Sequence, residues 1–219
     1  MSDHTQIRHP APFSASLLPV FAELLDGREN VLDPFGGIGR VHLLRDHLPI
    51  QTVAVELEPE WANTHPDTLV GDARELPFED NAFSAICTSP CYGNRLADHH
   101  VARDGSRRHT YRHALGRALS DGNAGMLQWG PKYRAFHEDA WEEAVRVLAP
   151  GGLFVLNISD HIRGGRHVDV AAWHLSRLLK LGLSPCAIRP VVTRRMRHGA
   201  NRQVRVPAEL VIALEKSGS

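Results

Sequence analysis

Five short apolar runs, each closed by glycine, proline or a polar residue, constrain the fold of this chain more than any other feature. ENVLDPFGG (residues 29–37), TVAVELE (52–58), TLVGDA around Leu69, AFSAICTS (82–89) and GLFVLNIS (152–159) lack the strict alternation of a half-exposed strand and read as strands buried on both faces. Between and after them lie stretches with helical spacing: IGRVHLLRDHL (38–48), FHEDAWEEAVRVL (136–148), which APGG stops, and VDVAAWHLSRLLKLG (168–182). Strands alternating with helices predict an α/β fold, a doubly wound and mostly parallel sheet covered on both faces. Candidate strands near residues 186–193 and 210–214 predict a hairpin-like pair that adds an antiparallel C-terminal strand.

The 219 residues suffice for one core, so a single domain spanning residues 1–219 is expected. The glycine-punctuated segment 93–131 is too long for an ordinary connection and is expected to be an insertion at the mouth of the sheet. Three cysteines, Cys87, Cys91 and Cys186, make no disulfide framework, and MSDHTQIRHPAP has no apolar signal core. These features predict a reduced, cytoplasmic protein. No apolar run reaches the length of a membrane span.

In open parallel sheets ligands bind beyond the carboxyl ends of the strands, and those ends here carry Asp33, Glu56, Asp72 and Ser89 in succession. The turn DPFGGIG lets backbone approach a ligand, Glu56 can accept from two ribose hydroxyls, and Asp72 from an adenine amine. The turn has neither the lysine of a phosphate loop nor the GxGxxG spacing of a dinucleotide site. An adenosine cofactor without a pyrophosphate, S-adenosylmethionine, fits better than NAD.

Together VLDPFGGIGR, VELEPEW, GDA and TSPCY resemble the S-adenosylmethionine-dependent amino-methyltransferases of DNA, which make N4-methylcytosine or N6-methyladenine. HPAPFSASLLPVFAELL (9–25) is similar to the block that precedes the glycine loop in that family, so the resemblance covers residues 9 to about 160. It implies a Rossmann-like methyltransferase fold, with Phe13, Asp33, Phe35, Gly36, Gly37 and Gly39 around the methionine, Glu56 on the ribose, and Leu57, Asp72 and Ala73 at the adenine. It also implies a DNA substrate, with RNA as an alternative, and makes segment 93–131 a candidate target-recognition element.

The family motif at the fourth strand, an Asp, Asn or Ser followed by two prolines and an aromatic residue, reads Ser89, Pro90, Cys91, Tyr92 here. An exocyclic base amine is a poor nucleophile because its lone pair is delocalised, so acceptors must be aimed at its protons. The Ser89 hydroxyl and Pro90 carbonyl are the candidates, and Tyr92 can stack on a base swung out of the helix. Serine at position 89 leans toward N4-cytosine; the missing second proline keeps N6-adenine open. The rival is cytosine carbon-5 methylation with Cys91 as nucleophile. It needs an acid on the fifth strand, or in the RNA enzymes a second cysteine, where this chain has Asn157, Ile158 and Ser159. Cys91 is therefore expected to fill the second proline's place. A non-catalytic nucleic-acid-binding module is a third reading.

Formal charge sums to zero, so attraction to nucleic acid must come from placement. Arginines cluster after the catalytic motif and near the C-terminus, and Asn94, Arg95, Arg112, Arg194 and Arg195 are the candidate substrate contacts. The HxxxH spacing of His109 and His113 lacks the glutamate or cysteine partners of a zinc site, and no metal is expected.

Overall fold

The computed structural model of the protein describes residues 9–10, 12–93, 110–193 and 206–218. Nine strands form among them: β1 (Asn30–Asp33), β2 (Gln51–Glu56), β3 (Thr68–Val70), β4 (Phe83–Thr88), β5 (Leu148–Ile158), β6 (His161–Arg163), β7 (Arg166–Val168), β8 (Leu183–Val191) and β9 (Glu209–Lys216). Seven make one sheet in the order β3-β2-β1-β4-β5-β9-β8, and β6 and β7 pair as a separate small hairpin. The first five strands of that order run parallel, while β9 is antiparallel to both β5 and β8. The expected doubly wound, mostly parallel sheet, with its antiparallel C-terminal strand, is the one observed.

The helices are α1 (Leu18–Leu25), α2 (Pro59–Ala62), α3 (Tyr111–Leu115), α4 (Pro131–Val147) and α5 (Val170–Lys180). Strand side chains alternate between faces, and so each strand feeds two cores. Leu32, Val55, Ile86, Phe154 and Ile212 point to the side covered by α4 and α5, where they meet Trp141, Val147 and Leu178. Their neighbours Val31, Ala54, Ala85, Val155 and Val211 point to the other side and pack on Leu17, Phe21 and Leu25, from α1 and the turn before it, and on Val41 and Leu44.

The segment expected as a helix over 38–48 is instead a 3₁₀ turn, Arg40–Asp46, capped by Gly39 in the left-handed region. The three-residue period puts Val41 and Leu44 on one buried face. His42 is also buried there, its two ring nitrogens bonded to Thr52 Oγ1 (2.8 Å) and Thr68 Oγ1 (3.0 Å) and its ring stacked on His65. Tertiary contacts thus override the helical spacing. The outer strand β8 carries Pro185 and Pro190, which blunt an otherwise open edge.

The strand order reverses between β1 and β4, whose neighbours lie on opposite sides, and this opens a crevice at the carboxyl ends of the strands. Among the described residues no helix is long and apolar enough to cross a membrane.

Candidate active site

A cavity of about 220 Å³ occupies that crevice, lined from the ends of β1, β2, β3 and β4, from residues 111–124, and from the approach to β9. Phe13, Phe35, Gly37, Glu56, Leu57, Asp72, Ala73, Ser89, Pro90, Cys91 and Tyr92 all face it. Asp33 and Gly36 line an adjoining recess behind Phe35. Gly39 lines neither space: a Cβ there would meet His42 at 2.8 Å, so its role is to turn the chain into the 3₁₀ segment. Asn94, Arg95, Arg194 and Arg195 lie outside the described residues. Arg112 stands on the exposed side of α3, next to Tyr111, which does line the cavity.

Three carboxylates at the ends of β1, β2 and β3 are each held by a backbone N–H two residues on. Phe35 N donates to Asp33 Oδ1 (3.0 Å), Glu58 N to Glu56 Oε1 (2.9 Å) and Arg74 N to Asp72 Oδ1 (2.9 Å). Burial pushes the Asp33 carboxyl up to about 6, although Thr88 Oγ1 and Phe35 N donate to it. Burial likewise pushes Glu56 up to about 7 against the pull of the Glu58 and Gly37 N–H groups. For Asp72 burial acts upward too, but the Arg74 side chain, which grips both its oxygens, holds the carboxyl below its ordinary range.

The glycine loop must be glycine at two points besides Gly39. A Cβ on Gly36 would sit 2.7 Å from the Ala54 Cβ, and Gly37 has φ of 53°, which aims its N–H at Glu56 Oε2, 2.8 Å away. Residues 116–125 cover this end through Glu58, which is fully buried yet fully satisfied. Ser120 N, Asn123 Nδ2 and Arg117 Nη2 donate to it at 2.8, 2.7 and 2.7 Å. The described part of segment 93–131 is therefore built into the wall of the cavity.

The other end is assembled from side chains. Asn157, at the end of β5, is fully buried, and its amide nitrogen lies 3.0 Å from Ser89 Oγ, 2.7 Å from Tyr92 Oη and 2.7 Å from Glu209 Oε2. Thr193 Oγ1 donates to Glu209 Oε1 at 3.0 Å. The Ser89 turn is also tied from beneath. Trp141 Nε1 donates to His174 Nδ1 (2.9 Å), which leaves His174 Nε2 as the protonated nitrogen facing Tyr133 Oη (2.9 Å), and Tyr133 donates to the Cys91 carbonyl (2.7 Å). Burial and the neighbouring His137 hold His174 well below its ordinary range, so it stays neutral.

Burial pushes the Cys91 thiol up to about 11 despite a contact with Tyr111 Oη at 3.5 Å. A thiol at that value is protonated at neutral pH and makes a poor nucleophile. Asp160, His167 and Asp169 form a cluster of potential metal ligands, their ligand atoms within 4.8 Å of one another, but it belongs to the β6–β7 hairpin and lines neither space. His113 bonds Thr110 Oγ1, and His109 lies outside the described residues.

His9, Trp61, Tyr111, Asn123, Phe136, Thr193 and Glu209 also line the cavity and were not singled out in the sequence as site residues for it. Trp61 closes the VELEPEW block, so a signal for it existed. Glu209 opens an ordinary apolar strand, and nothing local marks it.

No protein-family model and no curated protein match the chain. Solved structures share its fold. An S-adenosylmethionine-dependent methyltransferase from Methanosarcina mazei superposes with a TM-score of 0.58 at 11% identity, over 92% of this chain and 98% of that one. The N-methyltransferase NodS from Bradyrhizobium japonicum gives 0.55 at 12% identity, over 92% and 93%. The cyclase SpnF gives 0.59 at 17% identity, over 93% and 81%. A cyclase alongside methyltransferases shows one sheet serving different chemistries, so function must be argued from the site.

Proposed function

We propose that the chain is an S-adenosylmethionine-dependent methyltransferase that acts on an exocyclic base amine in DNA, N4 of cytosine before N6 of adenine. The observation that carries this reading is the charge of the cavity wall. Its described residues include Glu56, Asp72 and Glu209 and no lysine or arginine, a lining suited to a sulfonium cation and to amine donors and hostile to a pyrophosphate. The raised carboxyls of Asp33 and Glu56 fit the same cofactor, because a neighbouring cation and ribose hydroxyls favour their ionised forms. When bound, the cofactor supplies an electrophilic methyl group.

The chain's own residues do the rest. Asp33 and the Gly36–Gly37 backbone face the methionine end, Glu56 accepts from the ribose, and Asp72 with Leu57 and Ala73 borders the adenine. Ser89 and the Pro90 carbonyl accept from the target amine, and Tyr92 and the Cys91 turn, braced by Tyr133, fix their aim. The protonated Cys91 thiol favours this over carbon-5 chemistry. The candidate contacts Asn94, Arg95, Arg112, Arg194 and Arg195 are assigned to phosphates flanking the base.

Tritium transfer from labelled cofactor to DNA, RNA and free nucleotides tests the reading, with nucleoside mass spectrometry to identify the product. N4-methylcytosine or N6-methyladenine in DNA is the expected result. Label confined to RNA or nucleotides would move the substrate to the alternative class, and 5-methylcytosine would restore Cys91 as nucleophile.

A further inference from the structure

The substrate end of the cavity holds a run of hydroxyls that finishes on a carboxylate, and acceptance of the amine uses only its first member. Ser89 Oγ lies 2.9 Å from Tyr92 Oη, and Tyr92 Oη donates to Glu209 Oε2 at 3.1 Å. All three residues line the cavity, although Glu209 is 117 positions along the chain from Tyr92. Asn157 crosses the run with one amide nitrogen set against all three oxygens. Two amide protons for three oxygens leave the network with alternative proton arrangements of similar quality.

The far side of the same amide reinforces the point. Asn157 Oδ1 is buried and has no hydrogen-bond partner, an unmade bond that costs stability. Turning the amide over would place its oxygen against the Glu209 carboxylate, so the side chain accepts the orphaned oxygen in order to keep its donors on the run.

Methylation of an amine leaves a proton to be removed. As the nitrogen lone pair becomes the N–C bond and the C–S pair returns to sulfur, the nitrogen turns cationic until it releases a hydrogen. Taking that hydrogen while the bond forms keeps the lone pair available for attack.

Building on the base-amine reading, we propose that Ser89, Tyr92 and Glu209 form a proton relay, in which the amine proton passes to Ser89 Oγ, the serine proton to Tyr92 Oη and the tyrosine proton to Glu209 Oε2. Each hydroxyl loses one proton and gains one, and the carboxylate becomes a carboxylic acid. The positive charge that leaves the sulfur is thereby matched by the negative charge lost at Glu209, which returns its proton to water at the cavity mouth. Ser89 is the catalytic residue because it touches the amine. Tyr92 and Glu209 act through it, and Asn157 positions all three.

The test is Glu209→Gln, which keeps the shape and an acceptor oxygen but cannot take up the proton. Its kcat should fall by about 100-fold, the scale of a lost general base, while KM stays within about 2-fold, a change worth well under 1 kcal/mol. Fluorescence anisotropy of a short single-stranded oligonucleotide containing cytosine and adenine, measured without cofactor, should give the wild-type affinity. In Glu209→Ala, added formate should restore kcat by about tenfold or more, since it can occupy the vacated position and take the proton. Formate should leave wild type unchanged. If the Gln variant fails to fold, Glu209→Ala with formate carries the test alone. Wild-type kcat in Glu209→Gln overturns the relay, as does a folded Ala variant that formate does not rescue. A loss of oligonucleotide affinity matching the loss of kcat/KM overturns it too, by making Glu209 a direct contact. Any of these, with wild type still transferring methyl to a base, leaves the base-amine reading standing; a wild type that methylates no base removes both.

Discussion

The two ends of the cavity are built by different means. At the β1–β2–β3 end, Asp33, Glu56 and Asp72 are each fixed by the backbone two residues later, so each carboxylate brings its own support. At the β4–β5–β9 end, Ser89, Tyr92, Asn157 and Glu209 hold one another by side-chain bonds, all but the Ser89–Tyr92 contact spanning 52 to 117 residues of chain. The first arrangement tolerates the loss of a distant partner, whereas the second fails as a unit, because a network of shared protons depends on every member. Binding of the cofactor and delivery of the substrate should accordingly be separable by mutation.

The strongest break in the comparison is Ser89→Ala. It should lower methyl transfer by about 100-fold or more, the scale of a lost acid–base group, with cofactor affinity unchanged. Steady-state kinetics paired with calorimetry reads both quantities, and a matching loss of cofactor affinity would show the two ends to be coupled.

The reciprocal change, Glu56→Ala, should weaken S-adenosylmethionine by about 1 to 3 kcal/mol through lost hydrogen bonds, and leave oligonucleotide binding alone. Calorimetry on the folded variant decides this, and unchanged affinity would remove Glu56 from the cofactor site.

A pH titration sharpens the contrast further. Asp33 and Glu56 hold their protons to about 6 and 7 in the fold, above their values of 3.8 and 4.5. Between those limits the folded protein binds more protons than the unfolded chain, so this contribution is complete near pH 4 and is lost as pH rises through 7. His137, pushed down to about 4 by burial, gives the opposite slope, as does His174. The comparison is therefore between wild type and Asp33→Asn. In cofactor-free protein, wild type should lose on the order of 1 to 3 kcal/mol relative to the variant between pH 4 and 8. Thermal melts across that range supply the measurement, and parallel curves would show that Asp33 ionises without penalty.

The smallest effect should come from Cys91→Ser. With the thiol protonated and its carbonyl fixed by Tyr133, the variant should keep transfer within about 1 kcal/mol of wild type, the range of a modest packing change. Loss of all turnover, together with a stable adduct on a 5-fluorocytosine substrate, would reverse the assignment.

Much of the fold was legible because its signals are local. Uninterrupted apolar runs ending in Asp-Pro-Phe-Gly-Gly or Gly-Asp-Ala declare parallel strands and tight turns, and each carboxylate ending those runs takes one hydrogen bond from the backbone two residues on. The sequence by itself thus determined the doubly wound sheet, its antiparallel close and the acidic residues at its carboxyl edge. It misread residues 40–46, where helical spacing gave way to a 3₁₀ turn once His42 could bond Thr52 and Thr68. It also gave no sign of Glu209, which reads as the polar first residue of an apolar strand. Only the tertiary structure brought that carboxylate to Ser89 and Tyr92, by running β9 back antiparallel beside β5 so that Leu210 pairs with Ile158 and the strand begins at the cavity. A bond between residues 117 apart leaves no periodicity and no spacing to read, because its geometry is set by the register of strands that meet only after the chain has folded.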